Sequence, residues 1–380
     1  MRLKMGMVGG GPGAMAGELH RRATALDSRF EFVSGALSST PERSRAAAKT
    51  WGLARGYGSW QEMLEAEKKL PESERIDFVT IATPNHLHVP VSAAFAGSGF
   101  HVACDKPIGI SLEEAKQLCR VVDQSGVVFL LTHNYTGYPL VKQARHMIKS
   151  GELGEIVKVI VDYPQGWLLQ ALERQGHKGA AWRTDPLQSG PAGCLADIGS
   201  HAQNMMHIVT GLEIDELCAD LGSMHGRKVD DDVSILLRFR GGARGVLSAS
   251  QVMAGEEGGP NFRIYGTLGA LEWKQLEPET LIHRQPGQPL RLLRRGEPYL
   301  CEAAKHASRM PPGHPEGYYE AFANLYLNFA DAILARRQGA RTNEDFPTAV
   351  DGARTMAFIE TALESHAAGG RWTRVEDHKH

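Results

Sequence analysis

The stretch Leu3-Lys4-Met5-Gly6-Met7-Val8-Gly9-Gly10-Gly11-Pro12-Gly13-Ala14 decides the fold of this chain. Leu3–Val8 reads as a short apolar strand, and a helical pattern follows the glycines. Gly9, Gly11 and Ala14 satisfy G-x-G-x-x-G/A in that strand–turn–helix setting. The first small residue permits a tight turn, the second lets backbone approach a pyrophosphate, and the third lets helix and strand pack closely. Helix N–H groups then face the anion. An overlapping register, Gly11, Gly13 and Ala16, also fits; the first is preferred because its leading glycine abuts the strand. Taken alone, the motif is also compatible with a tight turn that binds nothing.

Working outward, Phe30–Leu37, Asp77–Ala82, Phe100–Cys104 and Val127–Thr132 read as further strands. Helical spacings fill the gaps at Pro41–Trp51, Ser59–Ala66, Val89–Ala96 and Leu112–Gln124, the last with Ser111 as its N-cap ahead of Glu113 and Glu114. Strand and helix in alternation predict a parallel sheet with crossover helices. This is a doubly wound Rossmann domain over residues 1–135. Past Tyr135 the rhythm changes. A helix at Leu140–Lys149 precedes strands at Ile156–Tyr163, Glu216–Met224, Val233–Phe239, Arg244–Gln251, Phe262–Tyr265 and Ala270–Trp273. They predict a second α/β domain, 136–380, for substrate binding and oligomerisation, with a largely antiparallel sheet, one inserted helix (Asp197–Thr210) and two late helices, Tyr318–Arg336 and Thr348–Ser365, the last helices being able to pack back on the first domain.

Composition narrows the function classes. The 380 residues are 42% hydrophobic and 23% charged, which suits two folded domains at about 150 residues each. A formal charge of -2 gives no basic field for nucleic acid or an anionic membrane. No apolar run approaches the ~20 residues of a membrane span, and MRLKMGMVGG lacks the apolar core of a signal peptide. Cys104, Cys119, Cys194, Cys218 and Cys301 have no disulfide-framework spacing, so a reduced, cytoplasmic protein is expected. No metal site is expected, since His86 and His88 have no cysteine cluster beside them. Neither a G-x-S-x-G elbow nor a Walker loop occurs.

Two further motifs, Ala82-Thr83-Pro84-Asn85-His86-Leu87-His88 and Cys104-Asp105-Lys106-Pro107, follow the strands at Asp77–Ala82 and Phe100–Cys104. A third, Asp197-Ile198-Gly199-Ser200-His201, lies in the second domain. With the glycine turn, in this order, they resemble the Gfo/Idh/MocA family, the glucose–fructose oxidoreductase and inositol dehydrogenase-like enzymes, over essentially the whole length. The resemblance implies a Rossmann domain followed by an α/β domain with a large open sheet, through which a homodimer or homotetramer would form. It implies NAD or NADP as cofactor, with NAD favoured. The acid of the family's Glu-Lys-Pro motif is here the shorter Asp105.

By this resemblance Lys106 is the central catalytic residue, placed where ligands bind at the carboxyl ends of a doubly wound sheet. Asp197 and His201, four apart, would project from one helix face. His201 is suited to take a hydroxyl proton, with Asp197 bonding substrate or steering the imidazole; Lys106 and His201 could exchange roles, and Asp197 could instead only cap its helix. Cofactor contacts are expected from Gly9, Gly11, Pro12, Gly13, Ala14, Thr83, Pro84, Asn85, His88, Asp105, Lys106 and Asn134. At the tip of strand two stand Ser38, Ser39 and Arg43 with no acid, leaving NAD and NADP both open. Substrate contacts are expected from Lys106, Tyr135, Trp182, Arg183, Asp197 and His201, Trp182 and Arg183 belonging to the long segment Gln165–Ala192.

These features predict an NAD(P)-dependent oxidoreductase taking a hydride from a secondary hydroxyl of a sugar, polyol or glycoside. The alternative is an NAD-dependent glycoside-cleaving enzyme that oxidises transiently, eliminates and returns the hydride. A dinucleotide sensor without turnover is the third reading, disfavoured by the intact Lys106, Asp197 and His201 set.

Overall fold

The computed structural model describes residues 2–340 and 344–376. Two compact units share the chain: residues 2–132 with 322–340 and 344–353, and residues 133–321 with 354–376.

The first unit holds β1 (Leu3–Gly9), β2 (Phe30–Ala36), β3 (Arg55–Gly56), β4 (Phe78–Ala82), β5 (His101–Cys104) and β6 (Phe129–Leu131). All pair in parallel, in the order β3-β2-β1-β4-β5-β6. Leu3, Met5 and Met7 are buried on β1, as are Phe78, Val79 and Ile81 on β4. Such runs mark strands covered on both faces. Strand order reverses between β1 and β4, so the crevice at their carboxyl ends is the switch point at which doubly wound sheets bind ligands. Ser111 caps the helix Leu112–Ser125 through the N–H of Glu114, as its sequence predicts. Returning at Phe322, the chain sets Tyr326 against Phe30 and Phe329 against Phe78, edge to face.

The second unit is built on β7 (Ile156–Pro164), β8 (Ile214–Gly222), β9 (Asp232–Phe239), β10 (Arg244–Ser250), β11 (Asn261–Gly266), β12 (Ala270–Lys274), β13 (Thr280–Arg284), β14 (Arg291–Arg294) and β15 (Thr373–Arg374). They form one sheet in the order β14-β13-β12-β11-β7-β10-β9-β8-β15. Only β7 and β10 pair in parallel among its neighbours. The sequence reading lacked β13, β14 and β15. Arg291 and Leu292 are exposed on β14 and β15 spans two residues, so neither carries the half-buried alternation that marks a strand. The helices Pro139–Lys149 and Ser200–Thr210 pack against each other and against this sheet.

Candidate active site

In the first unit the glycine turn is shaped by close approach. A Cβ on Gly11 would lie 2.5 Å from the Leu37 carbonyl oxygen, and Gly9 has φ +77. The motif assigns tight helix–strand packing to Ala14, but Ala14 is exposed ahead of the helix Met15–Leu26. That packing falls on Gly17, whose Cβ would come 1.6 Å from the Gly10 carbonyl oxygen. No side chain caps the helix Met15–Leu26, so its first-turn N–H groups are left for an anion, alongside exposed Pro12 and Gly13. At the tip of β2 the buried Ser44 hydroxyl accepts from the Leu37 N–H and donates to the Tyr57 carbonyl. Ser39 and Arg43 are exposed there, and Ser38 accepts from the Thr40 N–H.

After β4, Pro84 is half-buried, and Asn85 is buried in a single 3-10 turn. The Thr83 hydroxyl oxygen is buried with no hydrogen-bond partner. His88 corrects an expectation. It is 1% exposed, with Nδ1 2.6 Å from the Pro107 carbonyl oxygen and Nε2 2.8 Å from that of Thr83. Both ring nitrogens are turned to main chain, so His88 ties the turn after β4 to the turn after β5 instead of lining a cofactor. Burial pushes its pKa down, opposed by the two carbonyls and by Asp105.

Asp105 follows β5. Thr132 donates to its Oδ1 at 2.7 Å, and Nε2 of fully buried His20 lies 3.3 Å from the same atom. Burial would raise the Asp105 carboxyl, but His20, Thr132 and His88 overcome it and hold the pKa at about 2. His20 is itself steadied by the Tyr326 hydroxyl at Nδ1, 2.8 Å, and Tyr326 meets Thr80 at 3.0 Å. Lys106 comes next, half-exposed, with a cis peptide to Pro107.

The second unit gathers His133, Asn134, Tyr135, Tyr163, Asp197 and His201. Asp197 stands in a π-helical turn, Leu195–Gly199, and regular helix starts only at Ser200. The expected helix Asp197–Thr210 is therefore shorter, and the face shared by Asp197 and His201 is not that of a regular α-helix. Capping falls to Asp230, whose carboxylate accepts from the Gly193 N–H at 2.7 Å and the Leu195 N–H at 2.6 Å. The Asp197 carboxylate instead accepts from Arg183 Nε at 3.2 Å and Gln251 Nε2 at 2.8 Å. Arg183 lies over Trp182, 4.2 Å from the ring centroid, and 6.0 Å from that of Trp167. His201 Nδ1 is 3.2 Å from His133 Nδ1, and the Tyr135 ring meets His201 edge-on at 4.8 Å. The Tyr135 hydroxyl bonds that of Tyr163. Burial pushes both phenols up, so they remain neutral hydrogen-bonding groups. Asn134 is 1% exposed, and neither its amide nitrogen nor its amide oxygen has a hydrogen-bond partner.

Sequence reading missed His20, Gly17, Asp230, Gln251 and Tyr163. Gln251 carried one signal, a polar residue at the end of a strand; the others look like ordinary core or turn positions.

A nicotinamide dinucleotide fits these residues. Gly9, Gly11 and Gly17 keep side chains out of a turn that opens on uncapped helix N–H groups. In the same unit Thr83 holds a buried hydroxyl oxygen with no hydrogen-bond partner, a costly arrangement without a further partner. Among the described residues, no cluster of histidine, cysteine and carboxylate could hold a metal ion.

Comparison with known proteins agrees with this fit. Residues 3–146 match the model of an oxidoreductase family with an NAD-binding Rossmann fold, and residues 141–272 match the GFO/IDH/MocA C-terminal domain. Oxidoreductase YfiI of Bacillus subtilis is 30% identical over 98% of this chain and 97% of its own. Levoglucosan dehydrogenase of Pseudarthrobacter phenanthrenivorans is 28% identical over 71% of this chain and 73% of its own. An inositol dehydrogenase homolog from Azotobacter vinelandii, solved with NAD+, superposes with TM-score 0.94 at 32% identity, covering 98% of this chain and 97% of that one. A second structure of that homolog holds NADH and myo-inositol.

Proposed function

We propose, on the premise that the chain belongs to the Gfo/Idh/MocA oxidoreductase family, that it is a dehydrogenase acting on a secondary hydroxyl of a sugar, polyol or glycoside. One observation carries the choice of substrate class. Asp197, four residues before His201, forms an ion pair with Arg183 beside the rings of Trp182 and Trp167. Charged donors and acceptors next to flat apolar faces suit a ring that is apolar on its C–H face and polar at its hydroxyls.

The nicotinamide, when bound, supplies a hydride acceptor. Gly9, Gly11, Pro12, Gly13 and Ala14 hold the pyrophosphate, and Thr83, Pro84, Asn85, Asp105, Lys106 and Asn134 hold the nicotinamide half. NAD is favoured because the Azotobacter homolog holds NAD+ and NADH. Ser38, Ser39 and Arg43 keep NADP as the other candidate. His201 takes the hydroxyl proton, Lys106 steadies the oxygen as it becomes an alkoxide, and Asp197, Trp182, Arg183 and Tyr135 orient the ring.

A homodimer or homotetramer fits a row of apolar side chains across the sheet. Ile160 pairs with Val246 and Val246 with Leu236, which is 50% exposed. A cytoplasmic setting fits five free cysteines. The test is a panel of cyclic polyols and sugars with NAD or NADP, following reduced nicotinamide. Stoichiometric reduction supports the reading. Release of an aglycone with no net reduction would replace it with the glycoside-cleaving reaction.

A further inference from the structure

We propose that His133 is the positioning residue that sets the tautomer of His201; the inference rests on His201 being the base of the proposed reaction. Both imidazoles are buried, 1% and 6% exposed, with their rings 84° apart and their Nδ1 atoms 3.2 Å apart. Two ring nitrogens facing each other at that distance hold one proton between them: one donates and the other offers its lone pair.

The two ways of placing that proton are not equivalent. With the proton on His201 Nδ1, His201 Nε2 carries a lone pair and can accept the substrate's hydroxyl proton. With the proton on His133 Nδ1, a neutral His201 carries its proton at Nε2 and cannot act as a base there. After His201 has taken a proton it is an imidazolium and donates from Nδ1, so His133 must then accept. Only the first placement serves both before and after transfer without rearrangement, which is what a preorganised site requires. His133 thus performs for His201 the orienting task that a carboxylate performs in other histidine-based sites.

The surroundings support a fixed His133. Thr136 Oγ1 donates to the His133 carbonyl at 2.9 Å, pinning the turn Asn134–Gly137 that follows. Tyr135 braces His201 from its edge.

The proton balance is simple. The substrate O–H bond breaks and an N–H bond forms at His201 Nε2, while the carbinol hydrogen leaves as hydride to the dinucleotide.

Long-range proton–nitrogen NMR on the full chain with 15N-labelled histidine reads the tautomers directly, with His133→Phe, His133→Asn and His201→Ala providing assignments. In the wild type His201 is expected as the Nδ1–H form and His133 as the Nε2–H form. His133→Phe removes the acceptor; His201 should lose its single-tautomer signature, and kcat should fall about 10–100-fold, the usual effect of removing an orienting partner, with little change in KM. His133→Asn retains an acceptor oxygen and should recover both signature and turnover relative to His133→Phe. His201 found as Nε2–H in the wild type, or a tautomer unmoved in His133→Phe, overturns the proposal. A tautomer that shifts in His133→Phe while His201→Ala turns over normally upholds the pairing and overturns the base role of His201.

Discussion

His20 presents Nε2 to the Asp105 carboxylate at 3.3 Å while Thr132 donates to the same oxygen, so the acid preceding Lys106 is held from two sides within its own unit. The shorter acid of this Asp-Lys-Pro turn thus has a buried imidazole facing it.

A pH window follows for Asp105. Its folded pKa, about 2, lies below the ordinary 3.8, because His20, Thr132 and His88 outweigh burial. The stabilisation is therefore complete above the ordinary value and is lost as pH falls from about 4 through about 2, amounting to about 2 kcal/mol. Urea unfolding across that range should show the loss in the wild type and a flatter profile in Asp105→Asn. Equal slopes would remove Asp105 from the account of acid stability.

Asp230 has the opposite sign. Burial pushes its carboxyl up to about 6, against the N–H groups of Gly193 and Leu195. Above the ordinary value the folded state binds the proton more tightly than the unfolded chain does. Stability at this group should thus rise as pH falls from about 6 to about 4, by about 3 kcal/mol. Asp230→Asn should abolish that rise in the same unfolding series. Asp230→Ala leaves two buried N–H groups unpaired, at about 1–3 kcal/mol each, and should lower Tm and turnover together.

Gly17→Ala should be among the most damaging single-methyl changes, since its Cβ would sit 1.6 Å from a main-chain oxygen. Overpacking commonly costs about 1–3 kcal/mol, and here neither backbone can yield as a side chain would. Gly13→Ala meets nothing within 4 Å and is strained only by φ +86, about 1–2 kcal/mol. Thermal melts and dinucleotide titration should rank Gly17→Ala well below Gly13→Ala. The reverse ranking would contradict the packing role of Gly17.

Lys106→Ala and His201→Ala should each lose about 10²–10⁴-fold in kcat while still binding dinucleotide in a fluorescence titration. Near-normal turnover in both would remove them from the chemistry.

Leu236→Glu places a charge on the half-exposed row Ile160, Val246 and Leu236, and should reduce the assembly to monomers in sedimentation with the fold intact by circular dichroism. An unchanged sedimentation coefficient would locate the oligomer contact elsewhere, or exclude one.

The Rossmann half was largely legible, because its signals are local. Leu3–Val8 abuts its glycines, Ser111 stands next to the helix it caps, and the strands of the parallel sheet are compact apolar runs except β3, Arg55–Gly56, which the sequence reading lacked. Beyond residue 274 the strands were not legible, whereas the late helices Tyr318–Arg337 and Ala349–Ala367 were. At the sheet edge β14 exposes Arg291 and Leu292 and loses the alternation that burial imposes, while β13 beside it keeps Leu281 and His283 buried. At the site, residue types were readable but their partners were not: His88 looked like a cleft residue and proved to be a buried tie between two turns.

The sequence by itself determined most elements of the Rossmann half, the glycine turn and the positions of Lys106, Asp197 and His201, since propensity, periodicity and tight turns act over a few residues. Only the tertiary structure decided that His20 faces Asp105, that Gln251 and Arg183 hold Asp197, that Asp230 anchors the turn from Gly193, and that His133 meets His201. These pairs lie far apart along the chain or, for Arg183 and Asp197, across an irregular loop. Periodicity carries no record of such pairings, and it is the closing of the chain around its cores that brings them within bonding distance.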